Sequence, residues 1–440
     1  MNEAKSDSIY PALKARRLTG FAYFCFLGCI LLGYLFFSGR LFLAHSFFYG
    51  SEGNTFHFSD FVHFYQDGQL VLGPDHTKIY DAGVQLKLFN DLIKPLVLDQ
   101  VPISQYSPVT FCLMAPFALL SMEWAFVAWC ALSLVIGISG LWCVWKSFER
   151  EEINLPFFVL GVCASFPAWW TLHIGQLSWF LLGLICFATC ALKDRRHALQ
   201  GALLSLFAVK PHYGFFFATP FVGLRYWRVF WAAVIFELAL LAGTALLVGP
   251  ENVINYPRIL YKLDTSDEFL GVNPASMVSI RGPLSLMLPQ SLALPIATAF
   301  MLLGLAACIE IWLKASTNRE RLLPWAMALT VVYCLTLSPH THPYDCLLLA
   351  LPALLTLPSI SLFDCAKAPT APEKIWNLLL VLYPLISFLA FLYWDIVLSG
   401  AMNQASPLFF VNLALLIFGS IAFRARANAL KPPSEIKALS

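Results

Sequence analysis

Asp60 stands in the polar stretch Ser59-Asp60-Phe61-Val62-His63-Phe64-Tyr65-Gln66-Asp67-Gly68 of an otherwise apolar chain. If this stretch is helical, Asp60, His63 and Asp67 share one face at i, i+3 and i+7. Such a face can orient a base or offer oxygen and imidazole ligands to Mg or Mn. A solvated helix face is the plainer reading for His63 and Asp67. Asp60 differs because Phe56, Phe58, Phe61, Phe64 and Tyr65 surround it in sequence. An apolar setting desolvates a carboxylate and raises its proton affinity toward that of a useful general base.

Three further segments carry chemistry. Ser338-Pro339-His340-Thr341-His342-Pro343-Tyr344-Asp345 puts two imidazoles, a phenol and a carboxylate at one turn. Its prolines break helix and free backbone groups for other partners, unless the segment is simply a polar cap. Lys210, in Val209-Lys210-Pro211-His212-Tyr213, lies between two apolar runs, where an ionisable group is costly unless paired or hydrated. Its stem can snorkel to the interface, or its ammonium can take an anionic lipid phosphate. Arg258, Lys262 and Arg281 add positive charge beside Tyr256 and Tyr261, and Arg258 suits phosphate binding. Gln105-Tyr106-Ser107-Pro108 reads as a turn or as one wall of an acceptor entrance.

The elements that position these residues follow from composition. Hydrophobic residues make up 59% of the 440 and charged residues 12%, which defines a polytopic membrane protein. Irregular backbone cannot face lipid, so the expected fold is all-α, a bundle of about twelve transmembrane helices of roughly 20 apolar residues each. Spans are expected near 18–43, 122–145, 155–171, 176–192, 198–209, 211–224, 229–248, 291–313, 322–337, 344–357, 376–398 and 407–423. The 198–224 pair reads equally as one kinked helix or a re-entrant hairpin. With this layout 20 of the 28 Lys and Arg fall on one side, so both termini, 1–17 and 424–440, are expected in the cytoplasm. The same count makes 108–121 an interfacial helix, since a span there would carry Lys193, Arg195 and Arg196 outside. One domain, 18–423, then presents two large outer loops, 45–121 and 249–290. The first is far longer than a simple connection needs. The 12 cysteines follow no metal-binding pattern and read as small buried hydrophobes. The formal charge of +2 singles out no partner, and no nucleic acid is expected.

The order Asp60-Phe61, Phe64-Tyr65 and Gly68, then Ile79-Tyr80-Asp81, Tyr106-Ser107-Pro108, Gly175-Gln176, Val209-Lys210-Pro211, Ser338-Pro339 and Tyr344-Asp345 resembles the polyprenyl-phosphate-sugar-dependent glycosyltransferases of family 87. That family shares the multi-span architecture called GT-C. The resemblance implies a bacterial inner-membrane enzyme with its active site facing the periplasm. It would pass a sugar, mannose foremost, from a polyprenyl-phosphate carrier to a lipid or glycan hydroxyl with inversion. Asp60 matches the acidic residue of the first outer loop and would be the general base. Lys210 matches the Lys-Pro element and would bind the donor phosphate with Arg258 and His342. His340 and His342 fall where family members place histidine, at a different spacing. Substrate is expected against His63, Tyr65, Asp67, Tyr106, Gln176, His340 and Tyr344.

A sugar on a phosphate carries a good leaving group, so one base and some positive charge suffice. The lack of a glycine-rich phosphate loop fits that chemistry. No cofactor or metal is required, although Asp60, His63 and Asp67 leave a divalent metal open as a secondary reading. The rival class is a transporter or flippase for an envelope precursor. Transporters place ionisable residues in matched halves near the midplane, whereas here Lys210 and Glu237 have no half-to-half counterpart.

Overall fold

The structure, a computed structural model, describes residues 27–28, 30–33, 48–52, 55–94, 97–99, 103–265, 276–357, 369–393 and 405–430. The expected span at 18–43 lies mostly outside these. Strands β1 (Phe48–Glu52) and β2 (Thr55–Phe58) pair antiparallel, with Phe48 opposite Phe58, a small departure from the all-α expectation. The aromatic and β-branched residues here suit a pleated ladder.

Helix α1 (Asp60–Leu72) begins where Ser59 Oγ accepts the Phe61 N–H at 3.3 Å. Helix α2 (Ala82–Leu92) is capped by Asp81, whose Oδ1 accepts the Val84 N–H at 2.9 Å. Helix α3 (Pro108–Met114) starts on a proline, whose missing N–H costs nothing in a first turn. After it come α4 (Met122–Ser147), α5 (Leu155–Cys163), α6 (Phe166–Ile174), α7 (Ser178–Lys193) and α8 (His197–Ser205). A 3-10 turn, Leu206–Val209, leads to α9 (Pro211–Gly223), then α10 (Trp227–Val248), α11 (Pro250–Thr265) and α12 (Arg281–Met287). Helices α13 (Gln290–Ala315) and α14 (Arg319–Leu337) follow. A second 3-10 turn, Pro343–Leu349, runs into α15 (Ala350–Thr356), and α16 (Ala371–Leu392) and α17 (Pro407–Ala429) complete the described chain.

Five stretches among the described residues are long and apolar enough to cross a membrane: Met122–Ser147, Trp227–Val248, Gln290–Leu337, Ala371–Leu392 and Pro407–Ala429. The protein is polytopic. Gln290–Leu337 folds back on itself, because Trp312 Nε1 donates to Thr330 Oγ1 at 2.9 Å, whereas 18 residues of straight helix would part them by about 27 Å. The other expected spans are broken or short. That at 155–171 divides into α5 and α6, bent by 64°. Those at 198–209 and 211–224 meet at Lys210, and 344–357 is part 3-10 turn, part α15. Proline or glycine marks the breaks: Pro167, Gly175, Pro211, Pro339 and Pro343.

Burial separates helices that fill the interior from those that face lipid. In α7, 13 of 16 residues are buried, against four of 22 in α10, which exposes Trp231, Ile235, Leu238 and Leu246 as a lipid-facing side must. Helices α4 and α7 form a tight seam: a Cβ on Gly140 would meet Gly183 Cα at 2.8 Å, and one on Gly183 would meet Ile136 O at 2.6 Å. Small residues let apolar helices approach closely where no water drives them together.

Basic residues tie the connections at one end of the bundle. Arg319 donates to Leu192 O and Tyr226 Oη, Lys193 to Ser147 O, and Arg150 to Leu355 O. Arg426 pairs with Glu373 there as well. The polar residues singled out by sequence gather at the other end. Gly183→Leu should lower the thermal midpoint of the detergent-solubilised protein, at an overpacking cost of about 1–3 kcal/mol. Gly243→Leu, where a Cβ meets nothing within 4 Å, should leave that midpoint unchanged in the same melting experiment.

Candidate active site

The site begins at the end of α6. Gly175 adopts φ +73°, the left-handed conformation that favours glycine, and Gln176 N–H returns to Thr171 O at 2.8 Å. Trp129 Nε1 donates to Gly175 O at 2.8 Å, and a Cβ on Gly175 would lie 2.8 Å from Phe61 Cβ. Ser59 Oγ donates to Ile174 O at 3.1 Å. The turn and the start of α1 are therefore locked together, and Gln176 is aimed at Asp60.

Gln176 is fully used. Its Nε2 donates to Asp60 Oδ2 at 2.6 Å and to Tyr106 Oη at 2.8 Å, while Oε1 accepts the Leu177 N–H at 3.3 Å. Both amide hydrogens are thus spent, which fixes the amide orientation. Asp60 Oδ1 has no hydrogen-bond partner among the described residues. Burial raises the Asp60 pKa above its ordinary value, opposed by the Gln176 hydrogen bond, and among the described residues no cation pairs with it. Tyr106, held by Tyr80 Oη on its carbonyl at 2.6 Å, is kept protonated by burial and by the negative charge of Asp60. Its O–H remains free to donate.

The second wall is the 338–345 segment. Asp345 is fully buried, and Lys210 Nζ reaches both its oxygens at 2.7 Å. Ser178 Oγ donates to Oδ1 at 3.1 Å and His342 N–H to Oδ2 at 3.0 Å. The Lys210 ammonium also lies over the rings of Tyr213 and Tyr344, 4.7 and 5.5 Å from their centroids. His342 stacks on Tyr344 with ring centroids 5.4 Å apart, and its Nδ1 faces Ser276 Oγ at 3.1 Å. Burial pushes the His342 pKa down to about 3, so its imidazole is neutral near pH 7 and still holds one N–H.

Beyond it, His340 Nε2 meets Asp264 Oδ2 at 2.6 Å, with Arg281 Nη1 3.0 Å from the same nitrogen. Burial pushes the Asp264 carboxyl up, but His340 and Arg281 together overcome this and hold it below its ordinary value. His212 Nε2 contacts His340 O at 3.1 Å.

The structure brings together Asp60, Tyr106 and Gln176, and beside them Lys210, His340, His342 and Tyr344. Three expected substrate residues turn elsewhere. His63 stacks on Phe89 at 4.8 Å, and burial pushes its pKa down to about 4. Tyr65 Oη donates to Leu120 O at 2.8 Å. Asp67 is fully buried, accepts from Ser104 Oγ at 2.8 Å, and burial raises its pKa well above the ordinary value. Asp60, His63 and Asp67 therefore point to three different partners. Among the described residues no group of three His, Cys, Asp or Glu converges on a metal-sized site. Arg258 is exposed on α11, with no described contact to the cluster.

Several functional contacts escaped sequence reading: the Asp345 partnership with Lys210, the Asp264–Arg281 pair, and His212. Their partners lie 135, 17 and 128 residues away. The one available signal was the improbability of an unpaired Lys or Arg beside apolar segments.

The described residues thus form a helical membrane bundle with, at one end, a carboxylate that no cation pairs among them, beside an aromatic and imidazole-lined second wall. The family model described as glycosyltransferase family 87 matches residues 105–339, just over half of the chain. The chain belongs to glycosyltransferase family 87, and is a membrane glycosyltransferase that takes a sugar donor and an acceptor. No curated protein and no solved structure matches it.

Gly175→Ala should cost about 1–2 kcal/mol from the left-handed backbone alone, and the overlap with Phe61 adds to it. A lowered thermal midpoint together with loss of transferase activity is the expected result.

Proposed function

We propose that the protein moves a hexose, mannose in the first instance, from a polyprenyl-phosphate carrier to a hydroxyl of a lipid or glycan acceptor, with inversion at the anomeric carbon. Asp60 is the general base. The observation that carries this reading is its setting: a half-buried carboxylate with one oxygen held by Gln176 and, among the described residues, no partner on the other and no counter-ion.

The acceptor oxygen attacks the anomeric carbon while Asp60 Oδ1 takes its proton. The bond from that carbon to the phosphate oxygen breaks, and its electron pair leaves with the polyprenyl phosphate. In this reading the imidazole N–H of His342 and the O–H of Tyr106 donate to oxygens of the sugar donor and leaving group. Arg258, exposed on α11, offers an outer cation for the phosphate. Lys210, with two of its three N–H donors on Asp345, is not assigned to the phosphate.

The basic end of the bundle is read as cytoplasmic by the positive-inside rule, which turns the site toward the periplasm of a bacterial inner membrane. The full GT-C architecture of about twelve spans belongs to the same proposal.

Purified protein in detergent is given radiolabelled polyprenyl-phosphate mannose and a lipid and glycan extract of the host membrane. Wild type should transfer label without a sealed compartment, and Asp60→Asn, equally folded, should lose turnover by about 100-fold or more, as general-base removal does. Near-normal turnover by Asp60→Asn would remove the base assignment.

The pH profile gives a second test. A base must be ionised, so with the Asp60 pKa raised, turnover is lost as pH falls through a value above the ordinary carboxylate range. Gln176→Met removes the hydrogen bond that lowers this pKa, and should move the acid limb of kcat/KM further up in pH. A limb unmoved, or moved down, would place the titrating group elsewhere.

A further inference from the structure

Lys210 and Asp345 lie in separate motifs, and the pair they form accounts for more than its own charges. Lys210 occupies the break between the Leu206–Val209 turn and α9, with a side chain only 10% exposed against 0% for Asp345. An isolated charge at either position would be strongly penalised, so each requires the other.

Asp345 accepts four hydrogen bonds from three parts of the chain: two from Lys210, one from Ser178 Oγ and one from the His342 N–H. Ser178 is two residues beyond Gln176, which holds Asp60. His342 begins the Pro343–Leu349 turn, and its reciprocal capping with Asp345 fixes the direction in which the 340–344 segment projects. A second tie, Thr171 Oγ1 to Tyr344 O at 3.4 Å, joins the same two walls.

We propose that Lys210 and Asp345 form a neutral positioning pair, in which Asp345 sets the gap between the Asp60–Gln176 wall and the His342–Tyr344 wall and Lys210 is its counter-ion rather than a ligand of the donor phosphate. The proposal rests on the transferase reading of Asp60. Two of the three ammonium hydrogens are already spent, and two aromatic rings cover much of what remains.

Lys210→Met/Asp345→Asn removes both charges, while the amide oxygen still accepts the His342 N–H and the amide NH2 can donate to Ser178 Oγ. With radiolabelled polyprenyl-phosphate mannose and the host membrane extract, this double variant should keep turnover within about ten-fold of wild type, with donor KM unchanged. Lys210→Met alone strands a buried carboxylate and should fall about 100-fold below the double variant. A lysine that grips the phosphate predicts the opposite: donor KM raised at least ten-fold in both variants, with no recovery in the double. That outcome overturns the pair.

Ser178→Ala, which removes one tether and no charge, should lower kcat several-fold at constant donor KM and constant thermal midpoint. Unchanged kcat also overturns the proposal. The thermal midpoints of wild type, Lys210→Met and the double variant form a cycle that needs no turnover. A double variant no more stable than Lys210→Met would dismiss the pair, whereas absence of transfer by wild type would dismiss only the donor reading.

Discussion

A helix that breaks inside an apolar bundle must find protein partners for the backbone groups it frees, because lipid offers none. Three breaks in this chain meet that requirement at one end of the bundle. At Gly175 the partners are Thr171 O and the Trp129 indole; at Lys210, the Thr110 hydroxyl takes Val209 O at 3.0 Å. Around 338–342, Val278 N–H reaches Thr341 O and Ile280 N–H reaches Thr336 O, both at 2.8 Å. The same breaks present Gln176, Lys210, His340 and His342. The polar cluster thus follows from where the helices are interrupted, and the first outer loop closes over it by placing Asp60 and Tyr106 against Gln176.

Electrostatics then separates the carboxylates. Asp345 has a lysine at 2.7 Å, and Asp264 has His340 at 2.6 Å with Arg281 behind it. Asp67 is fully buried and, among the described residues, has the Ser104 hydroxyl as its hydrogen-bond partner. An ion pair holds a carboxylate charged and a poor proton acceptor, whereas full burial without a cation favours the neutral acid. Asp60 lies between these limits, with an amide donor in place of a cation and a face still open. Among these four it is the one whose pKa is raised by burial while its side chain stays partly exposed.

Much of this was legible in sequence, and the limits have physical causes. Composition gave the membrane class, and the long apolar runs at 122–145, 229–248 and 407–423 became α4, α10 and α17, because nothing in them interrupts the helix. The apolar neighbours of Asp60 did announce its desolvation. Helical spacing, however, put His63 and Asp67 on the Asp60 face without revealing that α2 and the 103–106 segment would claim them. Periodicity reports which residues share a face, not what covers it. For the same reason Lys210 read as a free cation: its carboxylate lies 135 residues away, and a single sequence does not disclose such pairing.

Helix length carries one more consequence. Helix α7 runs from Ser178, bonded to Asp345, to Lys193 at the basic end, and α9 runs from Lys210 toward Tyr226 at that same end. Their 16 and 13 residues correspond to about 24 and 20 Å of helix, whereas the hydrocarbon core is about 30 Å thick. Both helices are therefore shorter than the hydrocarbon core is thick, by about 6–10 Å. A charge at the end of so short a helix, beside apolar segments, is costly unless paired, and Lys210 has Asp345 at 2.7 Å.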